Sequence, residues 1–303
     1  MLQLRAYVDS PTADRILPVL SSAAGVRHVE RVDPSNRGLA TAITADVTPD
    51  AADVALDILT NEGIEPDDVY LVRFEPVSPR ERRALPWLHG QGDTFSWAEL
   101  VGSATANARP IVRYLVAMGA AGSIAAVGVA TANQILVVGA MAVSPDLLPV
   151  SALCVALATR RGRLALLAFL TLAVGLAMAG MVAAATAAVL EASSFLDHGL
   201  GNGGLGTLTT ADVTTVLVAI AAGIAGMLAF ETRSATAVGV AISVTTVPAV
   251  AYFAVAAVVG QGNDAWGAFV VLDANVLTLV VAGTLTVLVQ RWFRACRDRT
   301  VAA

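Results

Sequence analysis

The sequence predicts an α-helical polytopic membrane protein with a small α+β domain at its N-terminus. Two observations carry that prediction. Composition is uneven along the 303 residues: 56% are hydrophobic, 14% are charged and mean hydropathy is +0.70, yet the charge sits mostly in the first third. Residues 1–108 carry 16 acidic residues and nine arginines, whereas residues 109–303 carry eight and ten; lysine is absent. The second observation is a series of six apolar stretches of about 20 residues, the length that crosses a bilayer. An acidic balance of this kind argues against nucleic-acid partners.

In the soluble third, Leu2, Leu4, Ala6 and Val8 alternate with polar neighbours, which is the period of a strand. Ser10-Pro11 then starts a helix with Ile16, Leu17, Leu20 and Ala24 as its apolar stripe, and Gly25 ends it. Strands follow at Val26–Val32 and Leu39–Val47. Thr48-Pro49 opens a second helix with Ala51, Val54, Ala55, Ile58 and Leu59, closed by Gly63, and Val69–Phe74 is the last strand. The order β-α-β-β-α-β is the ferredoxin-like pattern, assigned to residues 1–78. Residues 79–108 read as a linker with Arg80, Arg82, Arg83 and four large apolar side chains. They end in an interfacial amphipathic helix that Thr94 caps.

The transmembrane domain is expected over 109–290, with spans near 110–131, 134–158, 164–190, 212–230, 236–260 and 266–289, and a cytoplasmic tail over 291–303. All ten arginines of this part fall at alternate ends of the spans, and the opposite loops hold none. The positive-inside rule therefore puts both termini in the cytoplasm. The N-terminus shows no basic region followed by an apolar one, so no signal peptide is expected. Cys154 and Cys296 read as free thiols of a reducing compartment.

Two spans are expected to be discontinuous. Pro145 and Pro248 each interrupt the middle of an apolar run, and proline withholds a backbone donor from the helix. Gly139-Ala-Met-Ala-Val-Ser144 and Gly239-Val-Ala-Ile-Ser243 lie 100 residues apart, as Ala121-Gly122 and Ala222-Gly223 nearly do. Three spans per unit is an odd number, so the expectation is a 3+3 inverted repeat. Ser144 or Asp146, and Thr245 or Thr246, are placed to cap new half-helices whose N-termini face one another and attract an anionic group.

The expected ligand-binding residues are Asn133, Ser144, Ser243, Thr245, Thr246 and Asn275, with Arg233 at the inner mouth to meet an anion. Asp146 and Asp273 are the acidic residues deep in the membrane part. Lacking a Lys or Arg at that depth, each must be protonated, meet water or hold a cation, so they are assigned to coupling a proton or a sodium ion. The Gly-rich run 199–206 lacks the Lys-Ser/Thr of a phosphate cradle and reads as a loop. The lone His28 has no metal-spaced partner, and no metal, cofactor or enzyme motif is present, so no catalysis is expected.

The motifs Asn133-Gln-Ile-Leu-Val-Val-Gly-Ala-Met-Ala-Val-Ser-Pro145, Gly239-Val-Ala-Ile-Ser-Val-Thr-Thr-Val-Pro248 and Asp273-Ala-Asn275 resemble those of the bacterial uncharacterised hydrophobic-domain membrane proteins, known as domain of unknown function 389. The resemblance runs over nearly the whole chain, although Asp146 stands where that family has an aliphatic residue. It implies a bacterial inner-membrane location and no settled activity. The residues favour binding, at broken transmembrane helices, of a small polar ligand that is anionic or phosphorylated and nucleotide-like, followed by its transport. The alternative is a non-transporting signalling protein, or a homo-oligomeric channel, regulated by the cytoplasmic domain.

Overall fold

A computed structural model describes residues 2–33, 40–65, 68–73, 97–109, 112–193, 212–232 and 235–301. The chain divides into two compact units, Met1–Gly102 and Ser103–Ala303.

The first unit follows the expected order: β1 (Leu2–Val8), α1 (Ser10–Ser22), β2 (Val26–Val32), β3 (Thr41–Val47), α2 (Pro49–Asn61) and β4 (Val69–Arg73). The strands form one antiparallel sheet in the order β2-β3-β1-β4. Strand alternation delivers Leu2, Leu4, Ala6 and Val8 to one face, where Ile16 and Leu20 of α1 and Ala52, Ala55 and Leu59 of α2 close the core. Gly25 and Gly63 both take positive φ just beyond α1 and α2, as the helix-ending role assigned to them requires. A Cβ on Gly25 would also lie 2.6 Å from Thr48 Oγ1. His28 sits in a bulge of β2 with φ of 48° and bonds Asp46 at 3.0 Å on the surface, so a local turn and an ion pair account for it.

A helix α3 spans Trp97–Asn107. The expected cap Thr94 lies outside the described residues.

Among the described residues the second unit is helical: α4 (Val112–Ala130), α5 (Gln134–Val143), α6 (Leu147–Ala158), α7 (Gly162–Ala192), α8 (Val213–Thr232), α9 (Ala235–Val258) and α10 (Gly262–Val301). Among the described residues, α4, α7, α8 and α10 are each long and apolar enough to cross a membrane. The pair α5–α6 counts as a fifth span bent by 57°, and Thr245–Val258 of α9 is a shorter apolar stretch. The outward faces of α7, α8 and α10 carry exposed Leu, Val, Ile and Phe side chains, as a surface that meets lipid should.

Close helix crossings occur where glycine removes the side chain. A Cβ on Gly122 of α4 would lie 2.2 Å from the Ala179 carbonyl oxygen of α7. A Cβ on Gly223 of α8 would lie 2.6 Å from the Leu279 carbonyl oxygen of α10. Small residues at such crossings let backbones touch, which is the main attraction between helices in lipid. The crossings of α4 with α7 and of α8 with α10 thus use glycines 101 residues apart.

Candidate functional site

The centre of the helical unit is the break between α5 and α6. Pro145 has no N–H to give the Met141 carbonyl, so α5 stops after its last bond, from Ser144 N to Ala140 O at 3.1 Å. The residue before a proline is driven to an extended backbone, and Ser144 has φ −70° and ψ 127°. Helix bonding resumes with Leu148 N to Pro145 O and Val150 N to Asp146 O. Pro149, in the first turn of α6, costs no bond because those donors lack helical partners anyway.

Asp146 occupies the N-cap position of α6 yet does not cap it. Its backbone is already helical, with φ −67° and ψ −17°, which turns the side chain away from its own helix and towards α9. There Ser243 Oγ donates to Oδ1 at 2.5 Å, and Thr246 Oγ1 donates to Oδ2. Ser144 flanks the same carboxylate, and its hydroxyl reaches Met118 Sδ at 3.3 Å. Asp146 and Ser243 are both fully buried, and Thr246 is nearly so. Among the described residues no basic side chain touches the carboxylate; the ion pairs there all lie in the first unit. The arrangement is a buried carboxylate solvated by hydroxyls, joining the start of α6 to α9.

The expectation of two broken spans is corrected on one side. Helix α9 runs unbroken through Pro248, so the half-helix that Thr245 or Thr246 would cap does not form. Thr245 instead returns its hydroxyl to the Ile242 carbonyl at 2.8 Å. The proline withholds its donor from residue 244 and crowds that turn. Asn275 of α10 supplies a donor there, its Nδ2 reaching the Thr245 carbonyl at 2.9 Å. Tertiary packing thus supplies a donor beside the one that the proline removes, and the facing pair of half-helix N-termini is reduced to one.

The remaining expected residues separate. Asn133 is exposed and caps α5, its Oδ1 accepting from Ile135 N at 3.0 Å and Leu136 N at 3.4 Å, so it stands outside the buried cluster. Asp273 lies two residues from Asn275, about 200° around the same helix. Asn275 is buried against α9, whereas Asp273 is exposed in a groove between α7, α9 and α10. Arg233 lies outside the described residues.

Tyr114 was not among the expected site residues. Its hydroxyl is buried between α4 and α7, without a hydrogen-bond partner among the described residues and within electrostatic reach of Asp146. A Cβ on Gly175 would fall 2.0 Å from that oxygen, so the tyrosine fits only against glycine. The one sequence cue was a tyrosine near the start of an otherwise small-residue span, which alone points equally to an interfacial aromatic. Among the described residues no group of three or more His, Cys, Asp or Glu side chains forms a metal centre.

No curated protein and no solved structure matches this chain. A family model does match residues 141–281, a stretch that holds Ser144, Asp146, Ser243, Thr245, Thr246 and Asn275 together. That stretch matches the model of a domain of unknown function (DUF389), the family that the motifs resemble.

Proposed function

We propose that the protein is a transporter of two inverted three-span repeats, which binds a small polar solute at the broken second span and couples its movement to a proton or a sodium ion at Asp146. The observation that carries this reading is the Asp146 cluster, a fully buried carboxylate at a helix break held by Ser243 and Thr246. Ionisable groups inside a membrane domain are costly and mark ion or substrate paths. Repeat architecture is supported by the equivalent glycine crossings at Gly122 and Gly223, and by carboxylate bonds that link positions 97 and 100 residues apart. In the inverted-repeat plan such a site lies at the interface of the repeats near the bilayer centre.

The mechanism follows from hydrogen-bond strength. Hydroxyl bonds to an ionised carboxylate are roughly twice as strong as neutral ones. When a cation neutralises Asp146, its hold on Ser243 and Thr246 weakens, and α9 is freed to part from the α5–α6 break. Ion occupancy thereby biases two packings of the repeats, which is the coupling that a carrier needs. Arg233, at the inner mouth in the sequence, makes the solute an anion, with nucleotides and other phosphorylated compounds in that class. The ferredoxin-like domain, on the cytoplasmic side with the C-terminus, regulates or assembles the transporter.

The test is flux into proteoliposomes that enclose a pH-sensitive dye, or radioactive sodium, against a panel of nucleotides and organic anions. Wild type should move the cation only when its solute is present, and Asp146→Asn should bind solute without coupled flux. Arg233→Ala should weaken solute binding. Solute binding by wild type with no flux of any kind would sink the transport reading in favour of a receptor that signals through the N-terminal domain.

A further inference from the structure

A groove on the helical unit is separate from the Asp146 cluster. It lies on the outer face between α7, α9 and α10, has a volume of about 780 Å³, and is lined by apolar side chains with a single exception, Asp273. Phe169 and Leu176 of α7 form one wall and Phe253 of α9 the other. Phe269 lies one turn from Asp273 on the same face of α10, with its ring centroid 5.9 Å from that of Phe253 and 5.7 Å from that of Trp266.

Asp273 is seven residues from Trp266, which places it about 10 Å along the helix from that tryptophan. A tryptophan in such a position suits the headgroup boundary, so the carboxylate lies well inside the hydrocarbon layer. An exposed carboxylate at that depth needs a partner. Among the described residues the spans do not supply one: no Lys or Arg occurs between 114 and 159, 164 and 232, or 234 and 290. The same spans of a second copy lack one equally. The carboxylate is therefore left to a proton, to water or to a cation from outside the spans. A small hydrated cation would have to shed its water among apolar walls, whereas a lipophilic one already prefers them.

We propose that this groove binds a lipophilic monocation, an amphiphile with a quaternary or protonated amine head, whose charge rests between the Asp273 carboxylate and the Phe269 ring. The ring face attracts a cation within about 6 Å. The apolar body lies along Phe169, Leu176 and Phe253, and the volume is in the range of about 300–1,000 Å³ usual for small-molecule sites. The site is independent of solute transport through the Asp146 cluster, so either reading stands or falls without the other.

The experiment is equilibrium dialysis of the full-length protein in neutral detergent with tetraphenylphosphonium, and with tetraphenylborate as the anion of the same shape. Wild type should bind the phosphonium saturably with one site per chain, and the borate should not compete. Asp273→Asn should weaken binding by about tenfold or more, while Ala177→Phe, which keeps the carboxylate and fills the groove, should abolish it. Asp146→Asn should leave it unchanged. Equal binding by wild type and Asp273→Asn would show mere partition into an apolar surface and overturn the proposal. So would disulfide dimers through Ala177→Cys in an otherwise cysteine-free chain that binds no probe, since a second copy would then fill the groove.

Discussion

At the scale of single residues, the helical unit is governed by where polar atoms find partners in a medium that offers none. Asn275 shows the consequence. It donates to the Thr245 carbonyl beside Pro248, so Asn275→Ala leaves a buried carbonyl without that donor. The helical donor to that carbonyl remains, so a loss of about 0.5–1.5 kcal/mol follows, and the Tm in detergent should fall accordingly. The sequence alone suggests the opposite, a ligand contact whose loss spares stability, because it does not reveal that the amide is already engaged. Tyr114→Phe should behave in reverse. Its hydroxyl is buried and unpartnered among the described residues, so removing it should leave Tm unchanged or higher. A drop in Tm would mean that the hydroxyl has a partner after all. For Asp146, a double-mutant cycle with Ser243→Ala should give a coupling energy of about 0.5–3 kcal/mol, read from the denaturation of the two single variants and the pair.

At the scale of elements, two prolines in similar surroundings have different outcomes. Pro145 ends α5 and bends the span by 57°, whereas Pro248 sits inside a continuous α9. Local sequence states only that each proline withholds a donor. What differs is the neighbour: Asn275 stands beside Pro248 to serve the weakened turn, while the chain after Pro145 turns so that Asp146 reaches α9. Glycines divide in the same way. Gly122→Ala should destabilise by about 1–3 kcal/mol, because the new methyl meets the backbone of α7, which cannot step aside. Gly139→Ala on the exposed face of α5 meets nothing within 4 Å and should stabilise its helix by about 0.5–1 kcal/mol. Thermal melts of both variants check the contrast, and equal shifts would refute the close crossing of α4 and α7.

At the scale of the whole molecule, membrane sidedness is the prediction that arginine placement makes. Ser193→Cys, at the end of α7, should react with a membrane-impermeant maleimide on intact cells. Ser22→Cys, exposed at the end of α1, should react only after the cells are opened. The reverse pattern would invert the orientation and place the N-terminal domain outside.

The sequence by itself determined the elements whose causes are local. Strand alternation, helix-ending glycines and apolar runs were enough for the β-α-β-β-α-β order and the positions of the helices. The break at Pro145 was legible because proline acts on its own turn. Tertiary structure decided the rest, because those outcomes depend on contacts between positions far apart in the chain. It directed Asp146 to Ser243 and Thr246, kept α9 whole, turned Asn275 inward and left Asp273 facing a groove. The last division is a matter of helical phase: two residues on one helix point in nearly opposite directions, and only its packed neighbours fix which one meets protein.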